Sequence, residues 1–98
     1  MVFNYVTYIS SEHAELRYME RIEPCSREEA KQAILETVQN GFVLIDIQEH
    51  RYIKSSNLFF PCVKISENIY KIKSVLTWDM VEHRLQSAVD NYVFTDLY

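Results

Sequence analysis

His13, Arg17 and Arg21 stand four residues apart from one another within Ser11-Glu-His-Ala-Glu-Leu-Arg-Tyr-Met-Glu-Arg-Ile22. On a helix this spacing stacks one imidazole and two guanidiniums along a single face. The set has the form of an anion site. Arginine offers a bidentate fork to phosphate, and histidine exchanges a proton near neutral pH. Metal-free RNA cleavage needs a base for the 2′-hydroxyl, an acid for the leaving oxygen and a cation on the charge that develops at phosphorus. The expectation is that His13 is the acid or base and Arg17 the phosphate clamp, with Arg21 beside them and Lys71 or Lys73 as a second cation. The plainer use of these residues is structural. Glu12, Glu15 and Glu20 can pair with the arginines along the helix, at about 0.3–0.5 kcal/mol per exposed pair.

Charge is unevenly placed along the chain. Residues 1–49 hold four basic side chains against nine carboxylates, residues 50–78 hold five against Glu67 alone, and residues 79–98 hold Arg84 against four. A basic middle inside a chain of net charge −4 is a candidate anion-binding face. The residues expected to contact nucleic acid are Arg21, Arg51, Lys64, Lys71 and Lys73. In His50-Arg51-Tyr52 an aromatic ring lies beside basic groups and could stack a base. The ordinary alternative is that lysines decorate the wet face of a sheet.

The elements that must position these groups follow an α+β order. Val2–Ile9 is rich in β-branched and aromatic residues and predicts a strand. Ser10 or Ser11 caps a helix running to about Ile22, with Ala14, Tyr18, Met19 and Ile22 toward the core. Ser26-Arg-Glu-Glu29 is a capping box that opens a second helix ending near Gln39, with Asn40-Gly41 as its left-handed stop. Phe42–Gln48 predicts a strand with Val43, Ile45 and Ile47 on one face. Leu58–Ile65 and Ile69–Trp78 predict a hairpin. A two-residue loop, Glu67-Asn68, would pair Val63 with Ile72 and leave Lys64, Lys71 and Lys73 together on the opposite face. Pro61 places the third strand at an edge or a bulge. Asp79 caps a last helix from Met80 to about Tyr92, amphipathic through Val81, Leu85, Ala88, Val89 and Tyr92. The expected order is β-α-α-β-β-β-α, two helices on a small, mainly antiparallel sheet with an added C-terminal helix. It is a single domain over residues 1–98, with its core at about 1–78 and the helix and tail at 79–98.

Composition narrows the function classes. Hydrophobic residues at 48% and charged residues at 24% exclude disorder as the main state. The only glycine is Gly41, so a Gly-rich phosphate loop of P-loop or Rossmann type is excluded. Three histidines and two cysteines show no zinc spacing, and no cofactor or metal is expected. The longest apolar run, Phe42–Ile45, is far below the roughly 20 residues needed to cross a bilayer, so no membrane partner is expected. The start carries no basic n-region, and Cys25 and Cys62 form no disulfide framework. The expectation is a cytoplasmic protein with reduced thiols.

Ser11-Glu-His-Ala-Glu-Leu-Arg-Tyr-Met-Glu-Arg-Ile22, followed by Ser26-Arg-Glu-Glu-Ala30 and by Tyr70–Trp78, resembles a family of small bacterial and phage domains. These open with Ser-x-His-Ala-x-x-Arg-x-x-x-Arg, continue with a Ser-x-Glu-Glu helix and close with an antiparallel sheet. That family is similar to the barnase–EndoU–colicin–RelE group of ribonuclease folds, many members of which look like toxins of toxin–antitoxin pairs. The likeness covers about residues 10–78. It implies a toxin-like, RNA-directed domain, a metal-independent endoribonuclease or a weakened relative, with RNA or an antitoxin or host protein as partner. The chain departs from that pattern in its added C-terminal helix and its acidic balance.

A second expectation comes from the other end. Tyr92, Phe94, Leu97 and Tyr98 form an aromatic, apolar tail of the kind enriched at interface hot spots. They suggest a small acidic interaction protein that binds and inhibits a host protein without catalysis, or a homodimer through the C-terminal helix.

Overall fold

Two serines set where the helices begin. The computed structural model describes residues 5–83, with helix α1 at Glu12–Arg21 and helix α2 at Arg27–Gln39. The Ser11 hydroxyl accepts from the Ala14 amide at 3.0 Å, satisfying one of the free N–H groups at the start of α1. At α2 the capping box is complete: Ser26 Oγ accepts from the Glu29 amide, and the Glu29 carboxylate accepts from the Ser26 amide.

The strands are β1 (Thr7–Ser10), β2 (Phe42–Ile47), β3 (His50–Ser55), β4 (Leu58–Ser66), β5 (Ile69–Ile72) and β6 (Leu76–Thr77). They form one mixed sheet in the order β1-β5-β4-β3-β2, with β6 also on β4. β1 runs parallel to β5 and the other pairings are antiparallel. Residues 78–83 are helical. Both long helices pack on one sheet face: Ala14, Tyr18, Ala30, Ile34 and Val38 bury against Ile53, Phe60, Cys62, Tyr70 and Ile72. Among the described residues no helix is long and apolar enough to cross a membrane.

The α+β class and both helices match the sequence expectation, but the strand order does not. His50-Arg51-Tyr52, which the expected order places in no strand, opens the strand β3. The expected single strand Ile69–Trp78 breaks into β5 and β6 on either side of residues 73–75. Only residues 80–83 of the expected last helix, and none of Tyr92, Phe94, Leu97 or Tyr98, lie within the described residues.

The β4–β5 hairpin also corrects its expected register. The turn is Glu67-Asn68 as expected, but the ladder slips between Lys64 and Ser66, so Val63 faces Lys71 and Cys62 faces Ile72. The bulge at Ile65 shifts the pairs of Lys64, Val63 and Cys62 by one residue, and past the break at residues 73–75 Phe59 again stands opposite Leu76, as the expected register has it. Lys64 therefore stands opposite Tyr70 on the helix-bearing face, and Lys71 and Lys73 lie on the other. A second bulge, between Val43 and Ile45 in β2, puts those two side chains on opposite faces rather than on one.

Pro61 is not at an edge, since β4 is central. Its carbonyl accepts from the Lys73 amide at 2.7 Å, so its nitrogen points to the same side, into the gap where β5 has ended and β6 has not begun. No ladder bond to β3 is lost. Gly41 does not adopt the expected left-handed backbone. It is required by proximity: a Cβ there would lie 2.7 Å from Ile53 Cγ2 and 3.0 Å from the Lys54 carbonyl.

Candidate phosphate-binding hollow

Helix α1 is fastened to residues 72–75 at both ends. At its start, the Ser11 amide donates to the Ile72 carbonyl at 3.0 Å and the Ser11 hydroxyl to the Lys73 carbonyl at 3.3 Å. At its end, Arg21 Nη1 donates to the Val75 carbonyl at 2.8 Å. Ala14 and Tyr18 turn into the core, which leaves the row His13, Arg17 and Arg21 along the side of the helix that adjoins this segment. The Lys73 amide is in turn tied to Pro61, and Pro61 faces Tyr52 in the β3–β4 ladder.

These ties create an open hollow of about 390 Å³ lined by His13, Arg17, Arg21, Tyr52, Pro61, Lys73, Ser74 and Leu76. Three cationic side chains, one imidazole and one aromatic ring thus share a wall-to-wall space. Arg17 Nε donates to His13 Nε2 at 3.3 Å, and Arg17 Nη1 bonds Glu20 at 2.8 Å. With its Nε2 lone pair accepting, neutral His13 carries its proton on Nδ1. Each guanidinium has five N–H donors, so Arg17 and Arg21 retain donors beyond these bonds. The hollow can hold an anion against Arg17, Arg21 and Lys73, with His13 Nε2 at hand for a proton and the Tyr52 ring beside it as a stacking surface.

Of the residues expected at a nucleic-acid site, His13, Arg17, Arg21 and Lys73 meet at the hollow. Lys71 shares a sheet face with Lys73 but does not line the hollow, and Lys64 lies on the opposite face. Arg51 is elsewhere. Its side chain is 13% exposed, donates to Tyr8 Oη at 2.9 Å and Asp46 at 3.0 Å, and lies 4.2 Å from the Tyr70 ring centroid. Burial opposes the Arg51 charge, and the Asp46 and Tyr8 bonds more than reverse that effect, so its affinity for the proton is raised. Within His50-Arg51-Tyr52, the side chain that reaches the hollow is therefore Tyr52. Strand alternation sends neighbours to opposite faces, and that signal becomes usable once His50–Ser55 is recognised as a strand.

Two other chemical candidates have structural roles. Glu15, expected as a partner for the arginines of its own helix, instead joins the two helices: it accepts from Arg27 Nε at 2.7 Å and from the Ser10 hydroxyl. Burial pushes its carboxyl up, but the Ser10 and Arg27 bonds outweigh this and hold it below the ordinary value. The buried Cys62 thiol is pushed up to about 12 by burial, which removes the thiolate a nucleophile requires. Among the described residues no group of three or more His, Cys, Asp or Glu is placed to hold a metal ion. No protein-family model, no curated protein and no solved structure matches the chain.

Proposed function

We propose that this chain is a toxin-like, RNA-directed domain whose hollow binds a backbone phosphate and cleaves the adjoining bond without a metal. One observation carries the reading: His13, Arg17 and Arg21 of α1 share a hollow with Lys73 and Tyr52, which come from distant parts of the sequence. In the proposed step the 2′-oxygen attacks phosphorus and its proton passes to His13 Nε2. The bond to the 5′-oxygen breaks, and that oxygen takes a proton from solvent. The products are a 2′,3′-cyclic phosphate and a free 5′-hydroxyl. Arg17, turned from His13 to the phosphate, and Lys73 stabilise the charge on the non-bridging oxygens. Tyr52 stacks a base of the bound strand.

The test is incubation of the full chain with single-stranded RNA of mixed sequence in the presence of a chelator. Cleavage leaving cyclic phosphate ends is expected, and His13→Ala and Arg17→Ala should abolish it while circular dichroism shows the fold retained. Salt-sensitive binding without cleavage would identify a weakened relative that keeps the phosphate site and has lost the chemistry. Neither binding nor cleavage, or full activity in both variants, would overturn the proposal.

A further inference from the structure

Strand β2 ends the sheet on one side, and among the described residues only β3 pairs with it. It runs Phe42-Val-Leu-Ile-Asp-Ile47, and every position is exposed: Phe42 76%, Val43 50%, Leu44 53%, Ile45 43% and Ile47 62%. Folded proteins usually blunt such an edge with lysine, proline or a very short strand. At the other edge, β1 has four residues and ends in Ser10. β2 has six residues, no lysine and no proline, and its apolar side chains emerge on both faces. Phe42, Ile45 and Ile47 stand opposite Lys54, Tyr52 and His50 on the face away from the helices, while Val43 stands opposite Ile53 on the helix face. Its single charge, Asp46, is held by Arg51 of the same chain at 3.0 Å.

The geometry points to a second copy of this chain as the partner of β2, joined edge to edge and antiparallel across a two-fold axis. A row of free backbone N–H and C=O groups is matched by another strand and not by a helix. An identical strand is self-complementary here, because an isologous contact sets each residue against the same patch. With the axis on Val43, Val43 meets its own copy and Phe42 meets Leu44, and the two Asp46 carboxylates do not face each other. The axis stands perpendicular to the sheet, so the faces match across the junction. Both helix pairs then lie on one side, and both Tyr52 rings on the other. The two Tyr52 strands are three strand spacings apart, roughly 14 Å at about 4.8 Å each.

Sedimentation and light scattering of the full chain test this. A mass twice the 11.7 kDa chain mass is expected, together with protection of β2 amides from hydrogen exchange. Phe42→Lys with Ile47→Lys, both at exposed positions, should raise the dimer dissociation constant at least roughly tenfold and remove that protection without altering circular dichroism. If the lysine variant fails to fold, Phe42→Thr with Ile47→Thr should weaken the dimer in the same direction. A wild-type chain that stays monomeric into the millimolar range overturns the inference, and if its β2 amides are protected, residues beyond 83 of the same chain are the occupant instead. A dimer that persists unchanged in folded β2 variants overturns it as well.

Discussion

Arg17 Nε donates to His13 Nε2 across 3.3 Å, one helical turn apart, while its Nη1 reaches Glu20 at 2.8 Å. Glu20 thus competes with any anion for the guanidinium that faces the hollow. Both partners are substantially solvated, so the pair is weak and yields to a phosphate. Glu20→Gln should release Arg17 and tighten RNA binding roughly two- to fivefold at low salt, with the gain vanishing at high salt as screening removes the competition. Fluorescence anisotropy with a labelled oligonucleotide measures this. Unchanged or weaker binding would mean that Arg17 does not contact the ligand.

The three lysines once grouped by sequence are separable by experiment. Lys73 lines the hollow, whereas Lys71 and Lys64 do not. For single-stranded nucleic acid, each phosphate contact contributes about 0.7 to the slope of log affinity against log salt. Lys73→Ala should lower that slope by about this amount, and Lys71→Ala and Lys64→Ala should leave it nearly unchanged. Arg51→Ala should act on stability instead, with a loss of about 1–3 kcal/mol as Tyr8 and Asp46 lose their partner. Equal effects of the three lysines on the slope would place the RNA along the whole strand face and not in the hollow.

What the sequence made legible was local chemistry. The Ser11 and Ser26 caps, the capping-box Glu29 and the apolar spacing of Ala30, Ala33, Ile34 and Val38 along the second helix are short-range signals, and each one stands in the fold, with Ala33 partly buried against the core. The row His13, Arg17 and Arg21 was legible for the same reason. Strand β3 was hidden because its two turns lack the glycine that usually marks a hairpin. Gln48 and Ser56 take the left-handed backbone themselves, at φ 56° and 51°. The β4–β5 register was hidden because the bulge at Ile65 carries no glycine either, and because exposed Lys71 faces half-buried Val63 on the uncovered side, where charge beside an apolar group costs little. The choice between Arg51 and Tyr52 was hidden as a consequence: their parity has meaning only inside a strand.

Gly41 gives a prediction about packing rather than backbone freedom. Its φ is negative, so alanine suits the local conformation, but the new methyl would press on Ile53 Cγ2 at 2.7 Å and on the Lys54 carbonyl at 3.0 Å. Ile53 is fully buried beneath α2, and backbone cannot yield as a flexible side chain can. Gly41→Ala should destabilise the fold by about 1–3 kcal/mol, the usual range for overpacking a well-filled site. Urea unfolding measures it. A neutral or stabilising result would show that the junction between α2 and β3 relaxes freely.

Glu15 ties the end of β1, helix α1 and helix α2 together through the Ser10 hydroxyl and Arg27, and its carboxyl titrates below the ordinary value of 4.5. Burial alone would raise it, and the Ser10 bond, then the bond and charge of Arg27, reverse that effect. A carboxyl whose folded value lies below its unfolded one contributes stability that is complete above the unfolded value and is lost as pH falls through the folded one. The wild-type chain should therefore lose stability as pH drops below about 4.5. Glu15→Gln keeps the shape and removes the charge. It should cost about 1–3 kcal/mol at neutral pH, flatten the acid limb and converge on wild type once the native carboxyl is protonated. Thermal melts from neutral pH to well below that value decide the matter. Two curves that stay parallel throughout would show that the carboxylate is a spectator, and that the helices are held by the apolar contacts of Ala14, Tyr18, Ala30 and Ile34 alone.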